Sequence, residues 1–431
     1  MSRDGGVDIK ERDRSRIRRF VVPGVLVVVA SIVALVIGEL GLRQLPGSDR
    51  YYVLPPNIVR SFNPSPTVVP GVHGPNRFTT NSDGLRGRDF GERAQEYRIL
   101  AIGGSTTECL LLDDLEAWPH LLERQLARTA DGRRIWSGGA GRAGMTARDH
   151  AVQIKYLLRQ HVVDAVLLLV GINDMGIALA GLDGDMRGRP VADPEAERRQ
   201  IPRAFAMAPG RLHEPSEFLA ASDAPWYKRT ASYQLLKRTR MRVSGLLGRR
   251  GFVQNESGTV FETLRSYRRM APRILSDSEL PDLAPSLAEY RRNLVLIVER
   301  ARAAQVRVIL MTQPTLWRHD ATPAEHALLW WGGVGNFMSG PGQPYYSIPA
   351  MMKALDMFNA TLRNVCTTSG VECIDLAARV PKDPSIFYDD DHFTERGAAV
   401  VADVIVEYLR ARSPFATLPP GPGRIARRPG P

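Results

Sequence analysis

Lysine is scarce in this chain of 431 residues. Only Lys10, Lys155, Lys228, Lys237, Lys353 and Lys382 stand among 57 basic residues, and the rest are arginine. An excess that lopsided reads as coding bias. The formal charge of +11 is therefore weak support for nucleic-acid binding, which calls for a clustered basic face, and no nucleic-acid partner is expected. Cysteine is scarce too, with Cys109, Cys366 and Cys373 only. That excludes a disulfide scaffold or a four-cysteine zinc site. Cys366 and Cys373 read first as small buried apolar side chains, with a disulfide across the turn at Gly370 as the alternative. The eight histidines form no H-x-x-x-H pair, so helical zinc ligation has no foothold. The phosphate-loop pattern G-x-x-x-x-G-K-[ST] is absent, as is G-x-S-x-G.

One long hydrophobic run is present. Phe20 to Gly38 carries no charge over 19 residues. As a helix at about 1.5 Å per residue it spans about 28 Å, close to the hydrocarbon thickness of a bilayer. Arg12, Arg14, Arg16, Arg18 and Arg19 precede it. The positive-inside rule then places 1–19 in the cytoplasm, 20–42 in a bacterial-type inner membrane and everything later outside. No small-x-small cleavage site follows, which favours an uncleaved anchor over a signal peptide.

Beyond the anchor, 43–75 is rich in Pro and Asn and reads as an extended stalk. From 76 to about 411, short apolar runs alternate with helical stretches. The strand candidates are RILAIG (98–103), RIWSG (134–138), AVLLLVG (165–171), VRVILMTQP (306–314) and GVECIDL (370–376). Thr146 with Asp149 and Ser286 with Glu289 match capping boxes, and Thr394 can cap a final helix. Residues 176–283 interrupt the rhythm as a large insertion, and 412–431 has the composition of a disordered tail. The fold expected is α/β: a flavodoxin-like three-layer α/β/α domain around a five-stranded parallel sheet.

In such sheets the chemistry gathers beyond the carboxyl ends of the strands. Four polar motifs lie there. GGSTTE (103–108) offers Ser105 as a helix cap, as part of a phosphate-binding turn or as a nucleophile. GRAG (141–144) and GIND (171–174) offer donors in Gly144 and Asn173 that suit a developing oxyanion, or else an ordinary turn and a cap. FYDDDHFTERG (387–397) places Asp389 three residues before His392, on one face of a helical turn. Asp391 is expected to face away from His392, and Asp390 is poorly placed to hold it.

These four motifs together resemble the SGNH (GDSL) hydrolase superfamily. The match runs in order from Ser105 through Gly144 and Gly171–Ile172–Asn173–Asp174 to Asp389–Asp390–Asp391–His392, and FTTNSDGLRGRDF (78–90) looks like the lead-in of exported members. Gly104 stands where that family usually has Asp, and Gly139 where it often has Asn. The resemblance implies serine acyl transfer on an ester. Ser105 would be the nucleophile, His392 the base and Asp389 its orienting acceptor. The N–H groups of Ser105 and Gly144 and the Asn173 side chain would form the oxyanion hole. It implies no metal and no cofactor. Three functions fit: a membrane-tethered esterase removing short acyl groups from a glycan or small molecule (a lipase-like enzyme being a variant), an O-acyltransferase, or a non-catalytic anchored binding protein. Trp317, Trp330 and Trp331, near the loop after the fourth strand, are candidates for contacting sugar or acyl chain, or else for anchoring that loop. Trp226 to Arg250 holds eight basic residues and no acidic one, and can meet anionic lipid or an acidic polysaccharide, or form a solvated face.

Overall fold

The computed structural model describes residues 8–44, 50–182, 190–209, 226–233, 235–236, 239 and 258–416. The centre is a five-stranded, wholly parallel sheet: β3 (Glu96–Gly103), β4 (Arg134–Gly141), β5 (Ala165–Leu169), β7 (Arg307–Met311) and β9 (Glu372–Ile374) in the order β4-β3-β5-β7-β9. All eight residues of β3 and all five of β5 are buried, because helices cover both faces of the sheet. Helices α4 (Ala147–Gln160), α8 (Ala284–Ala303) and α10 (Ile348–Ser369) pack in succession on one side. Helices α3 (Trp118–Leu126) and α12 (Glu395–Arg410) pack together on the other. The fold is the three-layer α/β architecture expected, with all five strands where the sequence places them.

The register sets the position of the site. Gly103 pairs across to Gly141 and Leu169, Leu169 to Met311, and Met311 to Ile374. The strands therefore end level, and the loops that follow them meet above one edge. The α4 capping box is present, with Asp149 Oδ2 accepting the Thr146 N–H at 2.9 Å, and Thr394 caps α12 by accepting the Gly397 N–H at 3.0 Å.

Several expectations are corrected. The Ser286–Glu289 pair does not open a helix. α8 begins at Ala284 with Pro in its first turn, and Glu289 is buried against the Arg148 guanidinium at 2.7 Å. The stretch taken for a stalk is packed on the domain. Strand β1 (Val59–Phe62) pairs antiparallel with β2 (Asn76–Thr79), and Val53, Phe62, Val69 and Val72 are buried. Pro-rich sequence without periodicity concealed apolar side chains spaced to fit an irregular surface. The first residues of the expected tail pack on the domain, with Phe415 edge-on against Tyr97 and Arg307 Nη1 donating to Ser413 O at 2.9 Å, and 417–431 lie outside the described residues. Cys366 and Cys373 form a disulfide, with Cα atoms 5.9 Å apart, tying the end of α10 to β9. The insertion is in part regular structure, with α5 (Ile172–Ala180), α6 (Pro194–Ala204), α7 (Thr259–Arg269) and β6 (Ile274–Leu275) inside or overlapping it; β6 pairs with β8 (Tyr345–Tyr346), and the short helices α9 (Pro323–His326) and α11 (Leu376–Arg379) follow β7 and β9.

Helix α1 (Asp8–Leu42) precedes the domain. Val25–Leu42 has a mean hydropathy of 2.7 and none of it is buried. Among the described residues it is the one helix long and apolar enough to cross a membrane.

Candidate active site

The turn after β3 presents Ser105. The chain leaves the strand at Gly103, turns at Gly104 and enters the four-residue helix α2 (Ser105–Glu108). Ser105 is half-buried at its start. Gly104 has no room for a side chain: a Cβ there would lie 2.5 Å from Asn173 Nδ2. Arg86, buried, closes the other end of α2. Its guanidinium donates to Glu108 O and Cys109 O at 2.6 Å each and to Leu112 O at 2.7 Å, satisfying carbonyls that a helix end leaves open.

The neighbouring turns bring donors to the same place. Gly144 has φ +71°, a left-handed conformation that favours glycine. Glu108 Oε2 accepts the Ala143 N–H at 2.8 Å and so orients the residue beside it; burial pushes this carboxyl up. Asn173, in the first turn of α5 after β5, donates one amide hydrogen to Met145 O at 3.0 Å. An amide has a second. That hydrogen, and the N–H groups of Ser105 and Gly144, have no acceptor among the described residues. Asp174 holds the start of the preceding helix, α4, by accepting the Ala147 N–H at 3.1 Å, and burial pushes its carboxyl up to about 8.

Asp389 and His392 meet as a pair. His392 Nδ1 lies 2.7 Å from Asp389 Oδ2, while Asp389 Oδ1 accepts the N–H groups of Asp391 at 3.1 Å and His392 at 2.9 Å. The carboxylate thus folds its own turn, which is irregular rather than helical. Asp391 does not face away: its Oδ1 is 3.6 Å from His392 Nδ1. The imidazole lies parallel to Tyr388, with centroids 5.5 Å apart, and meets Phe261 at a steep angle at 5.7 Å.

Charges in this cluster are strongly coupled. Burial opposes the imidazolium, yet the Asp389 and Asp391 carboxylates outweigh it and raise His392 to about 10. Burial pushes Asp391 up to about 7 against the pull of His392. Burial would also raise Asp389, but the His392 charge and the hydrogen bonds from His392 and Trp330 hold it below its ordinary value. Such groups share protons as a set.

Of the two readings open for the tryptophans, the buried positions of Trp317 and Trp330 fit the anchoring one. Trp317 and Trp330 are buried, and each indole N–H serves a carboxylate: Trp317 to Asp390 Oδ1 at 2.7 Å, Trp330 to Asp389 Oδ2 at 3.0 Å. They position the acidic turn. Trp331 donates to Asp391 Oδ1 at 3.2 Å and keeps part of its surface open. Asp390 Oδ2 also accepts the backbone N–H groups of Trp330 and Trp331, at 2.7 and 3.1 Å. The ligand atoms of Asp389, Asp391 and His392 lie within 4.8 Å of one another, near enough for a cation.

Sequence reasoning missed the support supplied by α7. Arg265, buried, donates to Val68 O at 2.6 Å, Leu328 O at 2.9 Å and Tyr388 O at 2.8 Å. Arg268 donates to Trp331 O and Tyr346 O. Both guanidiniums offset the negative charge of Asp390. Their only signal lay in an arginine-rich stretch without an evident frame. The segment after β7 connects the two halves of the site: Thr106 Oγ1 donates to Gln313 Oε1 at 3.5 Å, and Leu316 N–H to Asp390 O at 2.9 Å.

No protein-family model and no curated protein matches the chain. Solved structures do resemble it. An alpha/beta hydrolase from the metagenome of Lake Arreo, Spain, is 14% identical over 72% of this chain and 94% of its own, with a TM-score of 0.37. An acetylxylan esterase from Geobacillus stearothermophilus is 12% identical over 72% and 93%, with a TM-score of 0.35. A protein assigned as lipolytic, of the G-D-S-L family, from Desulfitobacterium hafniense is 9% identical over 72% and 99%, with a TM-score of 0.34.

Proposed function

We propose that this protein is a membrane-anchored serine esterase of the SGNH type, held in the inner membrane by α1 with its catalytic domain outside the cytoplasm. The reading rests chiefly on the 2.7 Å contact of Asp389 Oδ2 with His392 Nδ1, in a turn that the segment after β7 links to the short helix begun by Ser105. In this mechanism the Ser105 hydroxyl attacks an ester carbonyl and its proton passes to His392 Nε2. Asp389 fixes the tautomer and stabilises the imidazolium. The N–H groups of Ser105 and Gly144 and the free Asn173 amide hydrogen receive the oxyanion; one such donor is worth about 3 kcal/mol of barrier. The tetrahedral intermediate collapses to an acyl-serine, and the proton goes from His392 to the leaving alcohol. Water, activated by the same histidine, then releases the acid. The partly open ring of Trp331, stacked on the Trp330 that packs against Phe261 and His392, suits a short acyl group, such as acetyl, on a carbohydrate or small molecule.

The test compares nitrophenyl acetate with a long-chain nitrophenyl ester, using full-length protein in detergent, as wild type and Ser105→Ala. Turnover of the acetate that disappears in the variant is expected. Turnover that survives the substitution would refute the assignment of Ser105, and a preference for the long chain would replace the short-acyl reading with a lipase-like one.

A further inference from the structure

The end of α1 carries an acidic residue with an unusual set of partners. Glu39 lies one turn before Leu42 and just after the uncharged run that ends at Gly38. Its Oε1 accepts the Ala231 N–H at 2.7 Å, and its Oε2 accepts the Ser232 N–H at 3.0 Å and hydroxyl at 2.7 Å. Arg43 Nε donates to the same carboxylate at 3.0 Å. The chain around 231 is thereby fixed to the last turn of the apolar helix, although it lies 192 residues further along.

What that tie holds in place is unusual for a surface exposed to water. The 3-10 turn Trp226–Arg229 leads into it, with Thr230 Oγ1 donating to Tyr227 O at 2.6 Å. Trp226 is 79% exposed, Tyr227 46% and Leu236 68%. Trp226 and Tyr227 meet edge to face, and Tyr227 meets Tyr233 likewise. The same stretch carries Lys228 and Arg229, then Lys237, Arg238, Arg240 and Arg242, with no acidic residue from 226 to 250. Aromatic rings with polar edges, an exposed leucine and a sequence of many cations without an acidic residue together match the headgroup layer of an anionic bilayer, where Trp and Tyr are enriched. A solvated helix face would account for the cations but not for an exposed tryptophan a few residues before the backbone that Glu39 binds.

We propose that residues 226–236, tied to α1 by Glu39, lie in the headgroup layer of an anionic membrane as a second, interfacial anchor. The proposal rests on the reading of α1 as a membrane span. The span sets the depth of the boundary, Glu39 transfers that depth to the segment, and the rings and cations occupy it. One span alone leaves a domain free to swing about its exit point; a second contact nearby restricts the height and tilt at which the domain faces the membrane surface.

The test is spin-label depth in full-length protein reconstituted into vesicles of phosphatidylcholine with and without phosphatidylglycerol. Cys109 is buried and the other two cysteines are disulfide-bonded, so an introduced cysteine takes the label selectively. Labels go at Trp226→Cys and Leu236→Cys, with Val33→Cys reporting the span and Met357→Cys reporting water. At 226 and 236, collisions with a water-soluble nickel complex are expected to fall severalfold relative to Met357→Cys, and further when phosphatidylglycerol is present. Adding Glu39→Ala is expected to return the label at 226 to water while that at 33 stays in hydrocarbon. Labels at 226 and 236 as wet as that at 357, with 33 in hydrocarbon, would overturn the interfacial anchor and leave the span intact. A wet label at 33 would overturn the span itself, and the interfacial anchor with it.

Discussion

His392 is enclosed by more negative charge than orienting one imidazole requires. Asp389 touches Nδ1 and Asp391 stands 3.6 Å away, so the imidazolium is stabilised and the histidine held up to about 10. A base must be unprotonated to accept the serine proton. The pH profile of kcat/KM for the wild type is therefore expected to keep rising well above the ordinary histidine value. Asp391→Asn removes one of the charges, and should move that limb towards neutrality; an unmoved limb would mean that Asp391 does not act on His392. The same pair sets stability. The part due to His392, whose folded value is raised, is complete below the ordinary histidine value and is lost as pH rises through about 10. The part due to Asp389, whose folded value is lowered, is present above the ordinary carboxylate value and is lost as pH falls through the folded one. Melting temperatures across pH measure both limbs. Gly104 offers a second substitution at this scale. In Gly104→Ala the new methyl meets Asn173 Nδ2 at 2.5 Å and displaces the amide, so kcat should fall about 100-fold with KM changed far less. Steady-state kinetics on the acetate ester will show it.

At the scale of elements, short and irregular pieces carry the chemistry, and arginines hold them. Arg86 closes α2, and Arg265 reaches from α7 to three carbonyls on three separate segments. A guanidinium can do this because its five donors are spread in a planar fork, which an ammonium lacks. The arginine excess that looked like coding bias therefore includes residues with defined structural tasks. Arg265→Ala should leave the buried carbonyls of Val68 and Tyr388 without that donor. We expect a loss of about 3 kcal/mol in denaturant unfolding, together with weakened esterase activity. Arg265→Lys should restore only part of either. Full activity in the alanine variant would show that α7 does not support the acidic turn.

For the whole molecule, the register of the sheet and the apolar helix define the geometry. Thr106 and Asp390, far apart along the chain, are linked through the segment after β7, because the strands end level and the loops beyond them meet. The apolar run is expected to keep the full-length protein in the membrane fraction through alkaline carbonate washing, with release only by detergent. Recovery in the carbonate supernatant would count against the anchor. The disulfide between Cys366 and Cys373 accords with a domain outside the reducing cytoplasm.

Continuous apolar runs, glycine turns and cap residues act over a few neighbours, so the amino-acid sequence by itself determined the five strands, the caps at Thr146 and Thr394, the apolar helix and the residues at the strand ends. It also placed Asp389 with His392, since three residues are within reach of one turn. What only the tertiary structure decided depends on contacts distant along the chain. Trp317 and Trp330 became carboxylate donors because the loop after β7 folds down on 389–391. Asp391 came within reach of His392 because the turn is wrapped by its own Asp389 carboxylate and is not helical. Residues 50–75 became part of the domain because their scattered apolar side chains fit its surface, a match of shape that leaves no periodic trace. Arg265 and Glu39 acquired their partners 123 and 192 residues away, at separations where local preference carries no information and packing alone selects the contact.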